Sequence, residues 1–441
     1  MKDEKSVSND DKVDYLAGIS VRNHYRLPDT DIAFPPTNNG PFRHLILTGP
    51  NGSGKSTVLA KTAETVNEFI AGNIPKTDKE RMRDVARMEG HIRQNSDARA
   101  SDLANWNRNL DADKLALSSY HVQLDWTASA DAVGRNANGN RYFGAYLQAR
   151  RSFDLQSSRG TLPSKPSPPK MLRPAAPQWV TFLSYLHVQL RLAREDDPSI
   201  ADAIDRWLRR LEKSLSELLE LPGLRFEFDR KTYDVSLIEQ NGAKCAFSEL
   251  ADGHAAVFQV LAEILLRCEE DSLVSAVETL GSSSGIVLID ELETHLHPSL
   301  QEKVLPFLVS MFPNVQFIVT THSSAVISSI DNAVVYDLSM RETVDSETLR
   351  GIPYGELMKL HFGLSSDIDL GSTRALRRLA ALYRKERRDS AEEAELRSLS
   401  AKLVRTSSPL ALEVWNVLEE NRLAEESASY RVAKPGKPEE R

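Results

Sequence analysis

The chain has few cysteines, no long apolar run and no excess of positive charge, and each absence excludes a class of protein. Two cysteines among 441 residues, Cys245 and Cys268, lack C-x-x-C spacing, which argues against a disulfide scaffold and a structural zinc site. No apolar run approaches the roughly 18 residues that a membrane span requires. The segment 1–14 is charged and lacks the apolar core of a signal peptide. We therefore expect a cytoplasmic protein without a membrane partner.

The charge of the chain is acidic overall and basic in one segment. The formal net charge of −8 argues against a protein that coats DNA with a basic surface. Arg374–Arg388 nevertheless carries seven basic side chains and one acidic side chain, with leucines at helical spacing. This pattern predicts an amphipathic helix whose basic face is either solvated or in contact with nucleic-acid phosphates or an acidic partner.

Two adjacent carboxylates end an apolar run within Gly285–Pro298, which reads GIVLIDELETHLHP. Ile286–Ile289 predicts a strand buried on both faces, as in parallel sheets. Asp290 and Glu291 follow directly, and the carboxyl ends of such strands are where α/β sheets bind ligands. One carboxylate can hold a Mg²⁺ shell while its neighbour polarises water, which suits hydrolysis of a nucleoside triphosphate.

A phosphate-binding loop lies far upstream of these acids. His44–Thr48 predicts a buried strand and Val58–Ile70 a helix, and the residues between them fit G-x-x-x-x-G-K-[ST]. Lys55 is predicted to reach the β- and γ-phosphates, and the Ser56 hydroxyl to coordinate Mg²⁺. The predicted cofactors are therefore ATP and Mg²⁺. The residues predicted to bind the nucleotide are Gly49, Pro50, Asn51, Gly52, Ser53, Gly54, Lys55, Ser56 and Thr57.

Two further segments narrow the class of nucleotide-binding protein. Asn314–Thr321 predicts a buried strand beside the Asp290–Glu291 strand, and it ends in His322. Phe247–His254, which reads FSELADGH, leads into a predicted helix over Ala255–Cys268. A glycine at the start of a helix presents bare N–H groups to an anion, so Gly253 is a further candidate for phosphate binding.

This order of motifs resembles the ABC-class ATPases, in particular the soluble SMC- and OLD-like branch among AAA-family proteins. ETHLHPSLQ and QFIVTTHS also resemble a bacterial group often associated with phage-defence operons. The specific resemblance covers Gly40–Thr57 and about Phe226–Asp337. It implies that Asp290 is the Walker B acid that anchors Mg²⁺, Glu291 the catalytic base and His322 the switch histidine.

The resemblance also implies that the site is shared between subunits. In such proteins the signature motif, here Leu250–His254, completes the nucleotide site of another subunit, so Gly253 would act in trans within a homodimer or higher homo-oligomer. The family signature usually has a serine where this chain has Ala251. Loss of that hydroxyl removes a hydrogen bond of about 1–2 kcal/mol to the γ-phosphate, so slow hydrolysis is expected.

For some candidate metal-contacting residues, the sequence leaves two interpretations open. Gln148 is our candidate for the glutamine that contacts Mg²⁺ in this class, with Gln123 next, and either is also typical of a plain surface residue. His295 and His297 have i, i+2 spacing that metal ligands can have, but without a further ligand nearby they fit a dimer-facing loop better.

The expected fold is α/β, a P-loop NTPase of ABC type with a mixed or parallel sheet. Residues 1–66 and 223–345 are predicted to form the two halves of the ATPase core. Residues 67–222 form a mostly helical insertion with a Pro-rich loop at 160–177, and 346–441 a helical region with a disordered tail. Repeats long enough for an SMC-like coiled coil are lacking.

We expect a nucleotide-driven switch or sensor that hydrolyses ATP and controls a separate effector, a nuclease or toxin, in bacterial phage defence. The motivation is a full set of ATPase motifs with no effector motif beside them. The alternative is a DNA-binding ATPase of genome maintenance, in which the basic face of Arg374–Arg388 contacts phosphates.

Overall fold

The structure, a computed structural model, describes residues 15–37, 40–127, 142–150, 170–268, 283–362, 370–385 and 387–406. The chain divides into two units, Met1–Leu357 and Met358–Arg441. The predicted disordered tail and much of the predicted Pro-rich loop lie outside the described residues. Within the described part of the chain, no helix is long and apolar enough to cross a membrane.

The described residues form strands and helices along both units. The strands are β1 (Leu16–Arg22), β2 (Thr30–Ala33), β3 (His44–Thr48), β4 (His121–Trp126), β5 (Tyr142–Leu147), β6 (Arg225–Asp229), β7 (Asp234–Ile238), β8 (Lys244–Ala246), β9 (Ser284–Ile289), β10 (Val315–Thr320), β11 (Ala333–Asp337) and β12 (Glu342–Asp345). The helices are α1 (Lys55–Ile70), α2 (Asp78–Gln94), α3 (Ala100–Ser118), α4 (Trp179–Asp196), α5 (Pro198–Leu218), α6 (Asp252–Leu265), α7 (Pro298–Met311), α8 (Ser324–Ile327), α9 (Tyr354–Phe362), α10 (Leu370–Tyr383) and α11 (Ser390–Thr406).

A six-stranded sheet in the order β12-β11-β3-β10-β9-β5 forms the centre of the first unit. Its strands are parallel except β12, which pairs antiparallel with β11. This confirms the predicted α/β fold with a mixed sheet. It also confirms that the strand before His322 lies beside the strand before Asp290, because Ile318 pairs with Leu288. The carboxyl ends of the parallel strands therefore meet at one edge of the sheet.

Burial explains why the central strands were recognisable from the sequence. Every residue of β3, β9, β10 and β11 is buried, so these strands read as continuous apolar runs. Ile286 and Leu288 of β9 pack in one cluster with Leu45 and Leu47 of β3 and with the inner face of α1. The core thus lies directly beneath the edge at which the strands end.

Strands β4 and β5 lie within 67–222, where the sequence predicts a mostly helical insertion. β5 pairs parallel with β9, with Leu147 opposite Ile289, and so completes the central sheet. β4 instead forms a second, three-stranded sheet in the order β2-β1-β4. Part of this segment therefore belongs to the core, and the predicted domain boundaries stay predictions.

Helices α2 and α3 pack side by side and are largely exposed. α2 has no buried residue and α3 has one, Leu110, in agreement with the exposed helical stretch predicted here. Thr77 and Glu80 form a capping box at the start of α2. Ion pairs join the two helices, such as Arg81 to Asp113 (3.1 Å) and Lys114 to Glu89 (2.7 Å).

The segment before the signature motif forms a small sheet packed on two helices. β6 and β7 make an antiparallel hairpin, and β8 extends it. The apolar stripe of α5 is buried within the subunit and includes Ile204, Trp207, Leu208, Leu211 and Leu215. The sheet leads through a short 3-10 turn, Phe247–Glu249, into α6.

In the second unit, α10 packs on α11 around Leu376, Leu379 and Leu403. α10 contains most of the predicted basic amphipathic helix. Its basic side chains meet acids of α11: Arg378 binds Glu395 (2.7 Å), and Lys385, just beyond the helix, binds Glu392 (2.7 Å). These pairs favour the interpretation of a solvated helix packed on its neighbour.

Candidate nucleotide site

The phosphate-binding loop connects β3 to α1 at the carboxyl edge of the central sheet. Gly49, Gly52 and Gly54 have positive φ angles of 130°, 79° and 101°, a region that glycine enters without strain. Lys55, with 5% of its surface exposed, donates from Nζ to the carbonyl oxygens of Gly49 (2.9 Å) and Pro50 (3.2 Å). The loop is thus wrapped around its own lysine at the N-terminus of α1.

Residues after β1 brace this loop, and the sequence had not suggested them. Arg26 donates from Nη1 to the carbonyl oxygen of Gly52 (3.1 Å). His24 is 6% exposed, and a Cβ added at Gly54 would lie 3.2 Å from its ring. Its Nδ1 accepts from the backbone N–H groups of Arg26 and Leu27, and burial lowers its pKa. A neutral ring therefore packs against the loop, and Gly54 cannot gain a side chain without displacing it.

Asp290 connects the phosphate-binding loop to the end of β9. Its Oδ1 accepts hydrogen bonds from the Ser56 hydroxyl (3.0 Å) and from the Thr320 hydroxyl (2.6 Å) at the end of β10. Ser56 and Asp290 are 234 positions apart in the sequence. The two predicted Mg²⁺ ligands are therefore adjacent in space.

Glu291 turns the chain sharply as it leaves β9. It has a φ of 47°, an uncommon conformation for a residue with a side chain. Its backbone N–H donates to the Thr320 hydroxyl (2.8 Å), and its Oε2 accepts from the Thr294 hydroxyl (3.3 Å). Thr320 therefore contacts both predicted acids, and the turn directs Glu291 away from the path of the strand.

His322 follows β10 and lies close enough to interact electrostatically with Lys55, Glu291 and Asp290. Burial lowers its pKa, Lys55 lowers it further, and the two carboxylates oppose the shift. Burial also lowers the pKa of Lys55, against the effect of the carboxylates around it, of which Glu291 has the largest. The structure thus brings Lys55, Ser56, Asp290, Glu291 and His322 to one edge of the sheet.

Gln148 lies at the same edge, and Gln123 does not. Gln148 follows β5 directly, and the carbonyl oxygen of the preceding Leu147 accepts from the N–H of Asp290 (2.9 Å). Burial and the nearby Asp290 raise the pKa of Tyr146 to about 12. Gln123 instead lies on β4 in the three-stranded sheet. The position of Gln148 fits our first candidate, and its role remains a prediction.

The signature residues start α6. Its N-cap is Ala251, without a side-chain cap. A Cβ added at Gly253 would lie 3.1 Å from the carbonyl oxygen of His295, which places the signature against the loop after β9. Among the described residues, no hydrogen bond or ion pair joins 250–254 to 49–57.

His297 has a structural role at the start of α7. It is the N-cap residue, and its Nδ1 lies 2.9 Å from the Ser299 hydroxyl. Within the described ranges, no group of three or more His, Cys, Asp or Glu side chains could hold a metal ion. The histidine pair at 295 and 297 therefore gains no support as a metal site.

The donor set does fit Mg²⁺ held together with a nucleotide. Mg²⁺ prefers oxygen ligands and usually takes one or two from the protein, with water and phosphate oxygens completing its shell. The Ser56 hydroxyl and the Asp290 carboxylate, which is 4% exposed, supply such oxygens at the mouth of the phosphate-binding loop.

Comparison with known proteins finds a matching family model and several similar proteins. A family model described as "AAA domain, putative AbiEii toxin, Type IV TA system" matches residues 78–328, more than half of the chain. A retron Ec83 probable ATPase of Escherichia coli is 31% identical over 150 residues, which are 33% of this chain and 26% of that protein. A Septu protein PtuA of Bacillus thuringiensis is 27% identical over 126 residues, which are 28% of this chain and 32% of that protein.

The match thus spans about a quarter to a third of the length of these two relatives. Among solved structures, an SMC head bound to the C-terminal winged-helix domain of ScpA is 13% identical. The likeness covers 73% of this chain and 93% of that chain, with a TM-score of 0.36.

Proposed function

The chain belongs to the family of AAA domains described as "AAA domain, putative AbiEii toxin, Type IV TA system", and we propose that it binds and hydrolyses ATP as a nucleotide-driven switch in bacterial phage defence. The relatives named as a retron ATPase and a Septu protein support the defence context. The motifs at the carboxyl edge of the central sheet support the ATPase chemistry.

The observation that carries the proposal is the hydrogen bond between Ser56 and Asp290 (3.0 Å). It joins the residue after the P-loop lysine to the acid that ends β9. In P-loop NTPases this pair of oxygens holds Mg²⁺, and here Ser56 and Asp290 would hold it, where it would neutralise charge on the phosphates. Lys55 and the backbone N–H groups of Gly49–Thr57 would bind the phosphates at the N-terminus of α1.

Glu291 and His322 are the residues proposed for the hydrolytic step. Glu291 would orient or deprotonate the attacking water, since its turn directs it beyond the strand and its neighbour Asp290 is committed to Ser56 and Thr320. His322 would act as a neutral hydrogen-bonding partner of the γ-phosphate, because burial and Lys55 lower its pKa.

We propose that the site is completed by a second copy of the chain. The N–H groups at the start of α6, with Gly253 among them, lack a side-chain cap and can bind an anion. Because the signature makes no hydrogen bond to the phosphate-binding loop among the described residues, we expect it to act on the nucleotide of a partner subunit. Ala251 lacks the usual hydroxyl, so slow hydrolysis is expected.

The proposed switch controls a separate effector protein, a nuclease or toxin of the same system, in the cytoplasm. This rests on the defence relatives and on the motifs, which are those of an ATPase alone. The alternative of a DNA-binding maintenance ATPase loses its main support, because basic residues Arg378, Lys385 and Arg388 bind acids of α11.

Variants at Lys55 and Glu291 test the proposal. We expect Lys55→Ala to abolish ATP binding, measured by calorimetry, because it removes the phosphate-binding cation. Glu291→Gln should bind ATP normally and lower kcat by about 10²-fold or more, the usual contribution of a positioned general base. Glu302→Gln, at an exposed position on α7, serves as the control and should behave like the wild type.

The same variants connect the chemistry to defence. Glu291→Gln should trap an ATP-dependent dimer and remove phage protection in cells that carry the whole system. A wild-type protein that neither binds ATP nor self-associates, together with full protection by Glu291→Gln, would refute the proposed function.

A further inference from the structure

We propose that Glu293 is a positioning residue that holds His322 in place relative to Glu291 and thereby sets the rate of hydrolysis without contributing to ATP affinity. This inference rests on the proposed ATPase function, because it assigns a role within the same site. Its physical basis is a set of hydrogen bonds between the turn after β9 and the turn after β10.

Both carboxylate oxygens of Glu293 bind the segment that follows β10. Oε2 accepts from the Thr321 hydroxyl (2.8 Å), and Oε1 accepts from the backbone N–H of His322 (2.5 Å). A carboxylate held at both oxygens by two consecutive residues cannot rotate without breaking a bond. Glu293 therefore determines where the main chain of His322 lies, and with it the position of the imidazole ring.

The same side chain is rigidly connected to Glu291. The backbone N–H of Thr294 donates to the carbonyl of Glu291 (3.0 Å), and that of Leu296 donates to the carbonyl of Glu293 (2.9 Å). The N–H of Leu292, between the two acids, donates to the carbonyl of Thr320 (3.1 Å). Glu291 and Glu293 therefore lie in one hydrogen-bonded turn, which fixes their positions relative to each other. Through its own hydrogen bonds, Glu293 then holds His322 in a fixed position relative to Glu291.

A second brace joins the same two segments. Gln301 on α7 accepts from the Ser323 hydroxyl at Oε1 (2.6 Å) and donates from Nε2 to the carbonyl of Leu296 (2.9 Å). The backbone N–H of Ser323 in turn donates to the Thr321 hydroxyl (2.9 Å). Residues 321–323 are therefore held by two side chains from the segment after β9, so hydrogen bonds join the two strand ends at more than one point.

The hydrogen bonds also offset the cost of placing this carboxyl group here. Glu293 is partly buried, and burial raises the pKa of its carboxyl, whereas the hydrogen bonds from His322 and Thr321 oppose that rise. Burying a carboxylate is costly unless hydrogen bonds satisfy it. The segment that carries His322 therefore holds this side chain in place.

Substitution of Glu293 tests the proposal. Glu293→Ala removes both hydrogen bonds and should lower kcat by about tenfold to a hundredfold, the usual effect of misplacing a reacting group by about 1 Å, with the Kd for ATP unchanged. Glu293→Gln keeps an acceptor for the His322 N–H and should lose less. Glu302→Gln, an exposed glutamate of the neighbouring helix, is the matched control and should keep the wild-type kcat.

A double-mutant cycle shows whether Glu293 affects kcat through His322 or independently of it. If Glu293 acts through His322, Glu293→Ala should have little further effect on kcat once His322→Ala is present. Effects that multiply independently, or a loss of ATP affinity that parallels the loss of kcat, would overturn the inference. If Glu293→Ala does not fold, Thr321→Val removes the Oε2 hydrogen bond and should lower kcat in the same His322-dependent way.

The outcome also distinguishes this inference from the function on which it rests. A wild-type protein that does not hydrolyse ATP would refute the proposed ATPase, and hydrolysis that Glu291→Gln leaves unchanged would refute the role of Glu291. If Glu291→Gln abolishes hydrolysis but both Glu293 variants keep the wild-type kcat, the positioning role alone is refuted.

Discussion

Single hydroxyl groups arrange the acids of the candidate site. Thr320 donates to Asp290 and accepts from the backbone of Glu291, so one side chain at the end of β10 organises both carboxylates at the end of β9. Loss of the Thr320 hydroxyl would remove both hydrogen bonds at once, each worth about 0.5–3 kcal/mol. A side chain at the end of one strand therefore positions the carboxylates that follow the neighbouring strand.

His44 is a residue whose burial should make stability depend on pH. It is 3% exposed, its Nδ1 accepts from the N–H of Phe317 (3.0 Å), and burial lowers its pKa to about 4. Between the usual value of 6.5 and about 4, the unfolded chain binds more protons than the folded chain. The free energy of unfolding should therefore decrease as the pH falls through this range, by about 2 kcal/mol between pH 7 and pH 5.

Urea unfolding of His44→Asn at several pH values checks this. The amide oxygen can accept from the same N–H group but cannot be protonated in this range, so the decrease towards pH 5 should become shallower. His91→Asn, at an exposed histidine on α2, should keep the wild-type slope. An unchanged slope in His44→Asn would contradict the assignment of the effect to this residue.

The sequence revealed the reacting residues but not the residues that position them. Asp290 and Glu291 stand directly after a buried apolar run, and Lys55 lies in a motif with defined spacing. Thr320 and Glu293 carry no comparable signal, because their hydrogen bonds depend on the pairing of β9 with β10. Arg26 and His24 were missed for the same reason, since nothing local shows that β1 leads to the phosphate-binding loop.

At the scale of elements, a buried ion pair at the end of α6 forms hydrogen bonds with the segment before α4. Arg267, just after the helix, binds Glu263 (2.5 Å), and their side chains are 2% and 4% exposed. Glu263 also accepts from the N–H groups of Ala175 (2.7 Å) and Ala176 (3.0 Å). The guanidinium donates to the carbonyl of Met171 (3.4 Å). The helix that starts with the signature is thus fixed near its far end.

Breaking this pair should destabilise the protein strongly. Glu263→Gln keeps an acceptor for the backbone but leaves the Arg267 charge uncompensated, so we expect the free energy of unfolding to fall by about 3–5 kcal/mol. Asp205→Asn on α5 breaks an exposed pair of the same i, i+4 spacing, with Arg209, and should cost less than about 1 kcal/mol. Urea unfolding of both variants measures the change in the free energy of unfolding. Equal losses in the two variants would contradict this account.

Elements were predictable where burial is continuous or a periodic pattern is long. The parallel strands β3, β9, β10 and β11 and the helix α7 agree with the predicted segments within a few residues. The strands β1, β2 and β4 were not predicted, because each mixes buried with more exposed residues instead of forming a continuous buried run. In addition, β1 pairs with β4 only across a long sequence separation, as between Leu16 and Trp126. β5 was hidden in the same way, since its partner β9 follows far along the chain.

At the scale of the whole molecule, the proposed ATPase depends on assembly. The described residues place the phosphate-binding loop, Asp290 and His322 at one edge of the sheet, whereas the start of α6 lies against the loop around His295. A nucleotide bound between two copies would connect these regions across the interface. Under this proposal, binding of ATP would close the dimer, because a ligand shifts the equilibrium towards the state that it binds more tightly.

Restoring the hydroxyl missing from the signature should strengthen that closure. In the Glu291→Gln background, Ala251→Ser adds a donor for the γ-phosphate at each of the two shared sites of a dimer, worth about 1–2 kcal/mol per site, so the Kd of the ATP-dependent dimer should fall by about thirtyfold to a thousandfold. Sedimentation velocity with ATP measures this. The new serine would also cap α6, where it stabilises the monomer with or without nucleotide. Dimerisation without nucleotide is therefore the control: tightening that appears equally with and without ATP would contradict a contact between the signature and the partner's phosphate.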